Sequence, residues 1–289
     1  MSAKSLTLFD LAPGKELLGL YTIRRAHRQG GMSTTFEVQD KRRDAVCEVQ
    51  VFPSALFENA DQGREFADSL KAWTRVDSPH VLRARDVHVT EDGSILYVTD
   101  MPAGGSLREW LRVHPVSDAA TVIELGSQLL AGLSAVHAAG LVHGDIKPHT
   151  IQVEDGKRFG AVLTDGGITP GLWTAKHLGD KTALIGTPFY APIEQFGGES
   201  PNVQSDVYNV ATVLCEAATG TIPWRGKSFI EVFQSKLEKR PPTMRSRAPK
   251  VEVPAELEKA IAGGLMADKG ERYATAEDFR KRLLAAKEG

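Results

Sequence analysis

The stretch His143-Gly144-Asp145-Ile146-Lys147-Pro148-His149-Thr150-Ile151 decides how the rest of this chain is interpreted. It follows a segment whose apolar residues recur at intervals of three and four: Val122, Leu125, Leu129, Leu133 and Val136. This spacing predicts a helix, and Gly140 is a typical residue to end it. The quoted stretch is therefore predicted to be a loop between a long helix and a short strand, with Asp145 and Lys147 as its two charged side chains.

The hydrophobic pattern of the chain changes at Pro102. Before Pro102, short alternating runs predict five strands, at residues 21–26, 36–39, 45–52, 81–89 and 95–101. One helix is predicted among them, from about Asn59 to Val76. After Pro102 the pattern predicts helices, at residues 107–113, 117–139, 203–219, 228–238, 254–266 and 275–286, with residues 240–254 as a surface connection. Residues 1–20 are interpreted as a leader lying on the first strand.

Composition restricts the classes of function. The 289 residues are 42% hydrophobic and 25% charged, with 35 basic and 37 acidic residues. This is an ordinary globular composition, and a net charge of -2 gives no reason to expect nucleic acid or a membrane as partner. Cys47 and Cys215 are isolated, which predicts neither a disulfide nor a metal site and favours a reducing, cytoplasmic setting. No apolar run is expected to approach the roughly 20 residues needed to span a bilayer, and no signal peptide is recognised.

Several further motifs occur in order along the chain. They are Gln29-Gly30-Gly31-Met32-Ser33, Gly104-Gly105-Ser106-Leu107, Asp165-Gly166-Gly167, Gly186-Thr187-Pro188-Phe189-Tyr190 with Glu194, Ser205-Asp206-Val207-Tyr208, and Arg272. Together with the opening loop they resemble the eukaryotic-type (Hanks-type) Ser/Thr protein kinases, in a degenerate, bacterial-like form. The resemblance implies a bilobal protein-kinase-like fold of class α+β. Residues 21–101 would form a five-stranded antiparallel N-lobe with one helix, and residues 102–289 a mainly helical C-lobe.

The resemblance assigns roles to the loop residues. Asp145 would be the catalytic base, Lys147 would contact the transferred phosphate, and Asp165 would hold Mg²⁺. Three positions depart from the family pattern. Gly144 replaces the Arg, Thr150 replaces the Asn that binds a second Mg²⁺ and is a poorer ligand, and Gly166 replaces the Phe of Asp-Phe-Gly. Asp145, Lys147 and Asp165 are accordingly interpreted as remnants that anchor the loop, and no catalytic residue is expected to be functional.

The strand over residues 45–52 departs further. Its register places Gln50 at the family's phosphate-binding Lys and Glu48 at the Ala above the adenine. Glu48 is either an unpaired buried carboxylate, which would repel ATP, or part of a solvent-facing polar strand. Arg28, at the first glycine of the glycine-rich loop, is either a substitute phosphate ligand or a solvated residue at a strand end.

Other positions of the nucleotide site are also altered. Phe66 sets the helix register that puts Ser69 at the Glu which pairs with the family's Lys, and Glu65 is the alternative if the register is shifted by one turn. Pro102 lacks the N–H that usually binds adenine. The degenerate nucleotide-binding positions are thus Gly30, Gly31, Glu48, Gln50, Thr99, Pro102 and Thr150.

The resulting expectation is a pseudokinase, not an enzyme, that needs no cofactor or metal. Glu194, Asp206 and Arg272 are expected to keep the C-lobe intact as a surface for a protein partner. That partner would be an active Ser/Thr kinase or a phosphothreonine-binding domain in bacterial phosphorylation signalling, and Thr182 and Thr187 are candidate phosphosites. The alternative is an atypical active Ser/Thr kinase that uses ATP and Mg²⁺ and replaces the Lys with a relocated cation such as Arg28.

Overall fold

The computed structural model describes residues 11–29, 32–156, 159–176, 189–226, 228–238 and 240–287, without the side chains of Gln29 and Phe229. The chain divides into two compact units. The first unit consists of the described residues within Met1–Asp77, Leu82–Pro102 and Thr174–Lys176. The second consists of those within Ser78–Val81, Ala103–Trp173 and His177–Gly289.

The first unit contains a six-stranded antiparallel sheet with strand order β1-β2-β3-β4-β6-β5. Its strands are β1 Glu16–Leu17, β2 Tyr21–Gln29, β3 Thr34–Asp40, β4 Ala45–Phe52, β5 Ala84–Val89 and β6 Ile95–Asp100. The five predicted strands are all present. The sixth is the two-residue strand β1, formed by part of the predicted leader where it pairs with Thr22 and Tyr21 of β2.

One face of this sheet builds a core from alternate residues. Ile23, Phe36, Val38, Cys47 and Val49 are at most 3% exposed and belong to one hydrophobic cluster. The predicted helix is α1, Ala60–Lys71, continued by a 3₁₀ turn over Ala72–Arg75. Asn59 begins α1 because its side chain accepts hydrogen bonds from the amides of residues 61 and 62.

The second unit is mainly helical, with a three-stranded sheet of order β7-β8-β9. Its strands are β7 Gly105–Ser106, β8 Ile151–Asp155 and β9 Phe159–Leu163. The helices after residue 102 are α2 Leu107–Val113, α3 Ala119–Ala138, α4 Ile168–Ala175, α5 Ile193–Phe196, α6 Val203–Thr219, α7 Phe229–Lys236, α8 Met244–Arg247, α9 Ala255–Gly264 and α10 Ala276–Ala285. Short α4, α5 and α8 were not predicted, and α8 lies in the stretch expected to be a surface connection.

The expectation that no apolar run approaches the length needed to span a bilayer is wrong for helix α3. Its 20 residues are long and apolar enough to cross a membrane by length and composition. However, α3 packs against α6 and α10, and Leu129, Leu133 and Val136 are fully buried. A helix that is apolar on most sides is also typical of a protein interior.

Candidate active site

Asp206 of α6 holds the loop at residues 143–151. Its Oδ2 accepts hydrogen bonds from the His143 amide at 2.8 Å and from His137 Nε2 at 2.9 Å, and its Oδ1 accepts from the Gly144 amide at 2.8 Å. The Asp206 side chain is fully buried. Its predicted architectural role is therefore supported by three contacts. The sequence did not reveal the contact of His137, because His137 lies 69 residues from Asp206.

Gly144 meets two requirements of this loop that a larger residue would not. Its φ is +83°, in the left-handed region that glycine adopts most easily. A Cβ added to Gly144 would lie 2.5 Å from Pro170 Cγ and 3.2 Å from Pro201 Cβ. An Arg at this position would thus clash with α4 as the structure has it.

Asp145 and Lys147 form an ion pair on the loop. Lys147 Nζ lies 2.5 Å from Asp145 Oδ2, and each side chain is 20% exposed. Thr150 closes the same loop: its hydroxyl accepts from the Lys147 amide at 3.1 Å and lies 2.8 Å from the carbonyl oxygen of Asp145, to which it donates. Thr150 thus stabilises the loop conformation, which differs from the metal-ligand role of the Asn it replaces.

Asp165 lies on a segment bonded to this loop. The Thr164 amide donates to the Thr150 carbonyl at 2.9 Å, and the Gly167 amide donates to the His143 carbonyl at 3.2 Å. Burial lowers the pKa of His143, while the negative charges of Asp206, Asp145 and Asp165 oppose that shift. The structure therefore brings the predicted residues Asp145 and Asp165 close to the buried His143, and Lys147 pairs with Asp145. Asp165 itself has a φ of +60°.

A buried ion pair supports the expected structural role of Glu194 and Arg272 in the C-lobe. Arg272 Nη1 and Nη2 donate to the two carboxylate oxygens of Glu194 at 2.7 and 3.1 Å. The side chains are 0% and 6% exposed. The pair joins two of the residues that were expected to keep the C-lobe intact.

In the first unit, one row of residues crosses three strands. Arg28 of β2 pairs with Thr35 of β3, which pairs with Gln50 of β4, so the three side chains share a face. Gln50 Nε2 donates to Ser33 Oγ at 2.8 Å. The structure thus places Arg28 on the sheet face that carries Gln50, the residue predicted to stand at the family's Lys.

Both interpretations of Glu48 were wrong. Its side chain is only 4% exposed, so it is not solvent-facing, and Arg28 Nη2 donates to its Oε1 at 2.6 Å, so it is not unpaired. His27 Nε2 lies 3.6 Å from the other oxygen, but burial and the charges of Arg28 and Arg25 lower the pKa of His27. Of these two described contacts, the one with Arg28 is the shorter. The pair was missed because its partners are 20 residues apart and meet only across the sheet.

The structure also describes the predicted positions on α1 and at Thr99. Phe66 is fully buried in α1, Ser69 donates to the Phe66 carbonyl at 2.7 Å, and Glu65 is exposed. Thr99 is 8% exposed and is the cross-strand partner of Glu48. The nucleotide-binding roles of these positions and of Pro102 stay predictions. Gly30, Gly31, Thr182 and Thr187 lie outside the described residues.

Comparison with known proteins assigns the family. The family profile described as "Protein kinase domain" matches residues 22–285. The chain is 29% identical over 278 residues to Serine/threonine-protein kinase pkn3 of Myxococcus xanthus, covering 94% of this chain and 51% of that protein. It is 26% identical over 274 residues to Serine/threonine-protein kinase PrkC of Bacillus subtilis, covering 94% and 41%. It therefore spans about half or less of the length of these relatives.

A solved structure shows the same fold. The crystal structure of the M. tuberculosis PknI kinase domain superposes with a TM-score of 0.74 at 19% identity, covering 96% of this chain and 100% of that one. The predicted kinase fold, with a strand-rich N-lobe and a helical C-lobe, is confirmed. The expectation that the chain is not an enzyme is wrong, because the matched profile and the relatives named as kinases indicate an enzyme. With a profile match over 22–285, this chain belongs to the protein kinase family.

Proposed function

We propose that this chain is an atypical Ser/Thr protein kinase that transfers the γ-phosphate of ATP to a protein hydroxyl, with Arg28 as the phosphate-binding cation. The observation that carries the proposal is the Arg28–Glu48 ion pair at 2.6 Å. The names of the relatives support the reaction class, and the chain covers only part of those proteins.

The Arg28–Glu48 pair can supply the cation and the carboxylate that the predicted changes at Gln50 and Ser69 remove. Kinases need a cation on the phosphates that is held in place by a carboxylate. Here Arg28 supplies the cation and Glu48 the carboxylate, on the face of the sheet that also carries Gln50. A guanidinium stays protonated and has several N–H donors, so one Arg can bond a carboxylate and a phosphate oxygen together.

Pairing also removes the main argument against nucleotide binding. An unpaired buried carboxylate at Glu48 would repel an anionic ligand and cost several kcal/mol. With Arg28 bound, the two charges cancel, and the buried part of the sheet has no net charge from this pair. Paired in this way, Glu48 is no longer an argument against ATP binding.

The second unit supplies the groups that act on the acceptor. Asp145 accepts the hydrogen bond of the substrate hydroxyl, orients its oxygen toward the γ-phosphorus and takes the proton as the new O–P bond forms and the bridging P–O bond to ADP breaks. Lys147, held 2.5 Å from Asp145, can contact the transferred phosphoryl group with its ammonium. Asp206 fixes the loop so that both side chains keep their positions.

Asp165 would supply part of a magnesium site. Mg²⁺ is commonly held by one or two carboxylates together with substrate phosphates, and Asp165 would supply one such carboxylate. Mg²⁺ bound there would neutralise charge on the phosphates of ATP. Thr150 is not assigned as a ligand because its hydroxyl is used within the loop.

The test is phosphate transfer from radiolabelled Mg-ATP to the chain itself and to myelin basic protein. Asp145→Asn should lower the rate by about 10²–10⁴-fold, the range typical of a lost general base. Asp165→Asn should abolish transfer, and Arg28→Gln should raise KM for ATP. Arg25→Gln is the matched control, because Arg25 lies on the same strand, pairs with Glu37 and is 63% exposed. Absence of transfer by the wild-type chain, or equal transfer by Asp145→Asn, would refute the proposal.

A further inference from the structure

The connection that joins α7 to α9 is rich in positive charge. Residues 240–250 contain three arginines and one lysine and no acidic residue. Arg240, Arg245 and Lys250 are exposed, and Arg247, on α8, is half-buried. Arg225 lies before α7 and is also exposed. None of these residues takes part in the phosphate transfer proposed above.

Neutral oxygen atoms hold the guanidinium group of Arg247. Its Nε donates to the carbonyl of Ile222 at 3.2 Å, and its Nη2 lies 3.3 Å from the hydroxyl of Thr221 and 3.5 Å from the carbonyl of Trp224. Within the part of the chain that the structure describes, Arg247 forms no ion pair. The group is therefore fixed in position, while its positive charge has no carboxylate partner among the described residues.

A second guanidinium group, that of Arg225, lies close to Arg247. The carbonyl of Trp224 that Arg247 contacts belongs to the peptide bond that leads into Arg225. Burial lowers the pKa of Arg247, and the positive charge of Arg225 lowers it further, as expected for two like charges near each other. Arg225 likewise forms no ion pair with any residue that the structure describes. We call Arg225 and Arg247 the guanidinium pair.

The guanidinium pair differs from two other arginines of the same unit. Arg108 donates to the two carboxylate oxygens of Glu216 at 2.8 and 3.2 Å, and Arg272 does the same with Glu194. Each of those arginines is thus neutralised by a carboxylate. Two like charges that are held together without a counterion raise the free energy of the folded chain. A bound anion that contacts both guanidinium groups would remove this repulsion.

The backbone that carries the guanidinium pair is held in place. The amide of Arg225 donates to Ser235 Oγ of α7 at 3.1 Å. Gly226 has a φ of +140°, and a Cβ added to it would lie 2.6 Å from the amide nitrogen of Val232, so this turn packs closely on α7. On α8, Thr243 provides the N-cap. A site on ordered backbone loses less entropy when its ligand binds.

We propose that the guanidinium pair is a binding site for a phosphate group. A phosphate monoester carries about −1.5 to −2 charges at pH 7, which matches two guanidinium groups better than the single charge of a carboxylate. Arginine also presents several N–H donors in a fork that suits phosphate oxygens. Because Arg225 is exposed, both free phosphate and a phosphorylated side chain of another protein can reach the pair. This inference does not depend on the kinase proposal, since neither arginine acts in the transfer.

The test measures binding to the 289-residue chain in the absence of ATP. The probe is a short fluorescent peptide of glycine and alanine with one central phosphothreonine, and its binding is followed by fluorescence anisotropy. Arg225→Gln should weaken binding by at least about tenfold, the loss expected for one hydrogen bond to a charged group. Arg245→Gln is the matched control, because it removes the same charge from an exposed position of α8, and it should weaken binding by less than about fivefold.

Arg247→Gln should weaken binding of the peptide as Arg225→Gln does. Because Arg247 also contacts residues 221–224, urea unfolding checks that this variant folds. Should it not fold, Arg225→Gln alone decides, because the hydrogen bond that the structure describes for Arg225 is made by its main-chain amide.

Further probes identify the ligand. The unphosphorylated peptide, and one with glutamate in place of phosphothreonine, should each bind at least about tenfold more weakly than the phosphorylated peptide. Inorganic phosphate, titrated by calorimetry, tests the other source. If it binds, Arg225→Gln weakens it and the phosphorylated peptide does not bind, the site takes free phosphate. Equal binding of the phosphorylated and glutamate peptides, no binding of either peptide or phosphate, or equal losses in Arg225→Gln and Arg245→Gln would each refute the phosphate site.

Discussion

Arg28 Nη2 and Glu48 Oε1 are 2.6 Å apart, although their residues belong to β2 and β4 and are separated by β3. The contact is diagonal across the sheet, since Arg28 lies in the row of Thr35 and Gln50 while Glu48 pairs with Glu37. A long arginine can span this distance. The pair brings the guanidinium of Arg28 to a buried acid on the sheet face that also carries Gln50.

A double-mutant cycle measures the energy of this pair. We expect Arg28→Gln and Glu48→Gln to show a coupling of about 1–3 kcal/mol in urea unfolding, because Glu48 is 4% exposed and its charge is poorly screened. The exposed pair Arg25–Glu37 on the same sheet is the control and should show about 0.2–1 kcal/mol. Equal coupling in the two cycles would contradict a special role for Arg28–Glu48.

Breaking the Glu194–Arg272 pair should destabilise the second unit strongly. Arg272→Met leaves the Glu194 carboxylate buried without its bidentate partner, which should cost about 3–5 kcal/mol. Denaturant unfolding gives this value directly. Arg282→Met, which breaks the exposed pair with Glu256, should cost at most about 1 kcal/mol. A loss at Arg272 as small as this control would show that the pair does not hold the unit together.

Gly144 should not tolerate a side chain while α4 keeps its position. Gly144→Ala should lower the free energy of unfolding by about 1–3 kcal/mol, because φ is +83° and the new Cβ would lie 2.5 Å from Pro170. Pro170→Ala removes the ring atoms in that contact, so the double variant should recover part of the loss. Gly140→Ala, also at positive φ but with no atom within 4 Å of the added Cβ, separates backbone strain from the clash. No recovery in the double variant would argue against the clash.

The pH dependence of stability should report on Lys236. Its pKa in the folded chain, about 7, lies below the ordinary lysine value of 10.5, so the unfolded chain binds more protons between these values. The free energy of unfolding should therefore gain a contribution that increases from about pH 7 to about pH 10 and is absent below pH 7. Lys236→Met should remove this contribution, which is obtained as the difference between the two chains in urea titrations. A parallel pH dependence in both chains would contradict the burial of this charge.

Local signals in the sequence were sufficient for most of the secondary structure. Helix α2 was predicted with its observed bounds, and its Ser106–Glu109 capping box is a signal contained within four residues. Helix α6 was also predicted correctly, since Asn202 caps its start and Gly220 ends it at φ +73°. By contrast, α4 follows Gly166-Gly167 and contains Pro170 and Gly171, which are poor helix formers. The sequence therefore did not predict this helix.

The sequence by itself determined the kinase fold and the order of Asp145, Lys147 and Asp165 along it. That Gln50 and Ser69 stand at the family's Lys and Glu stays a prediction from the register. These conclusions depend on order and spacing along the chain.

Only the tertiary structure decided what the altered residues do. It paired Glu48 with Arg28, gave the Thr150 hydroxyl a place within its own loop, and buried Lys236 against main-chain carbonyls. The cost of a buried charge depends on which partners reach it, and those partners come from distant strands and helices that the sequence does not place side by side.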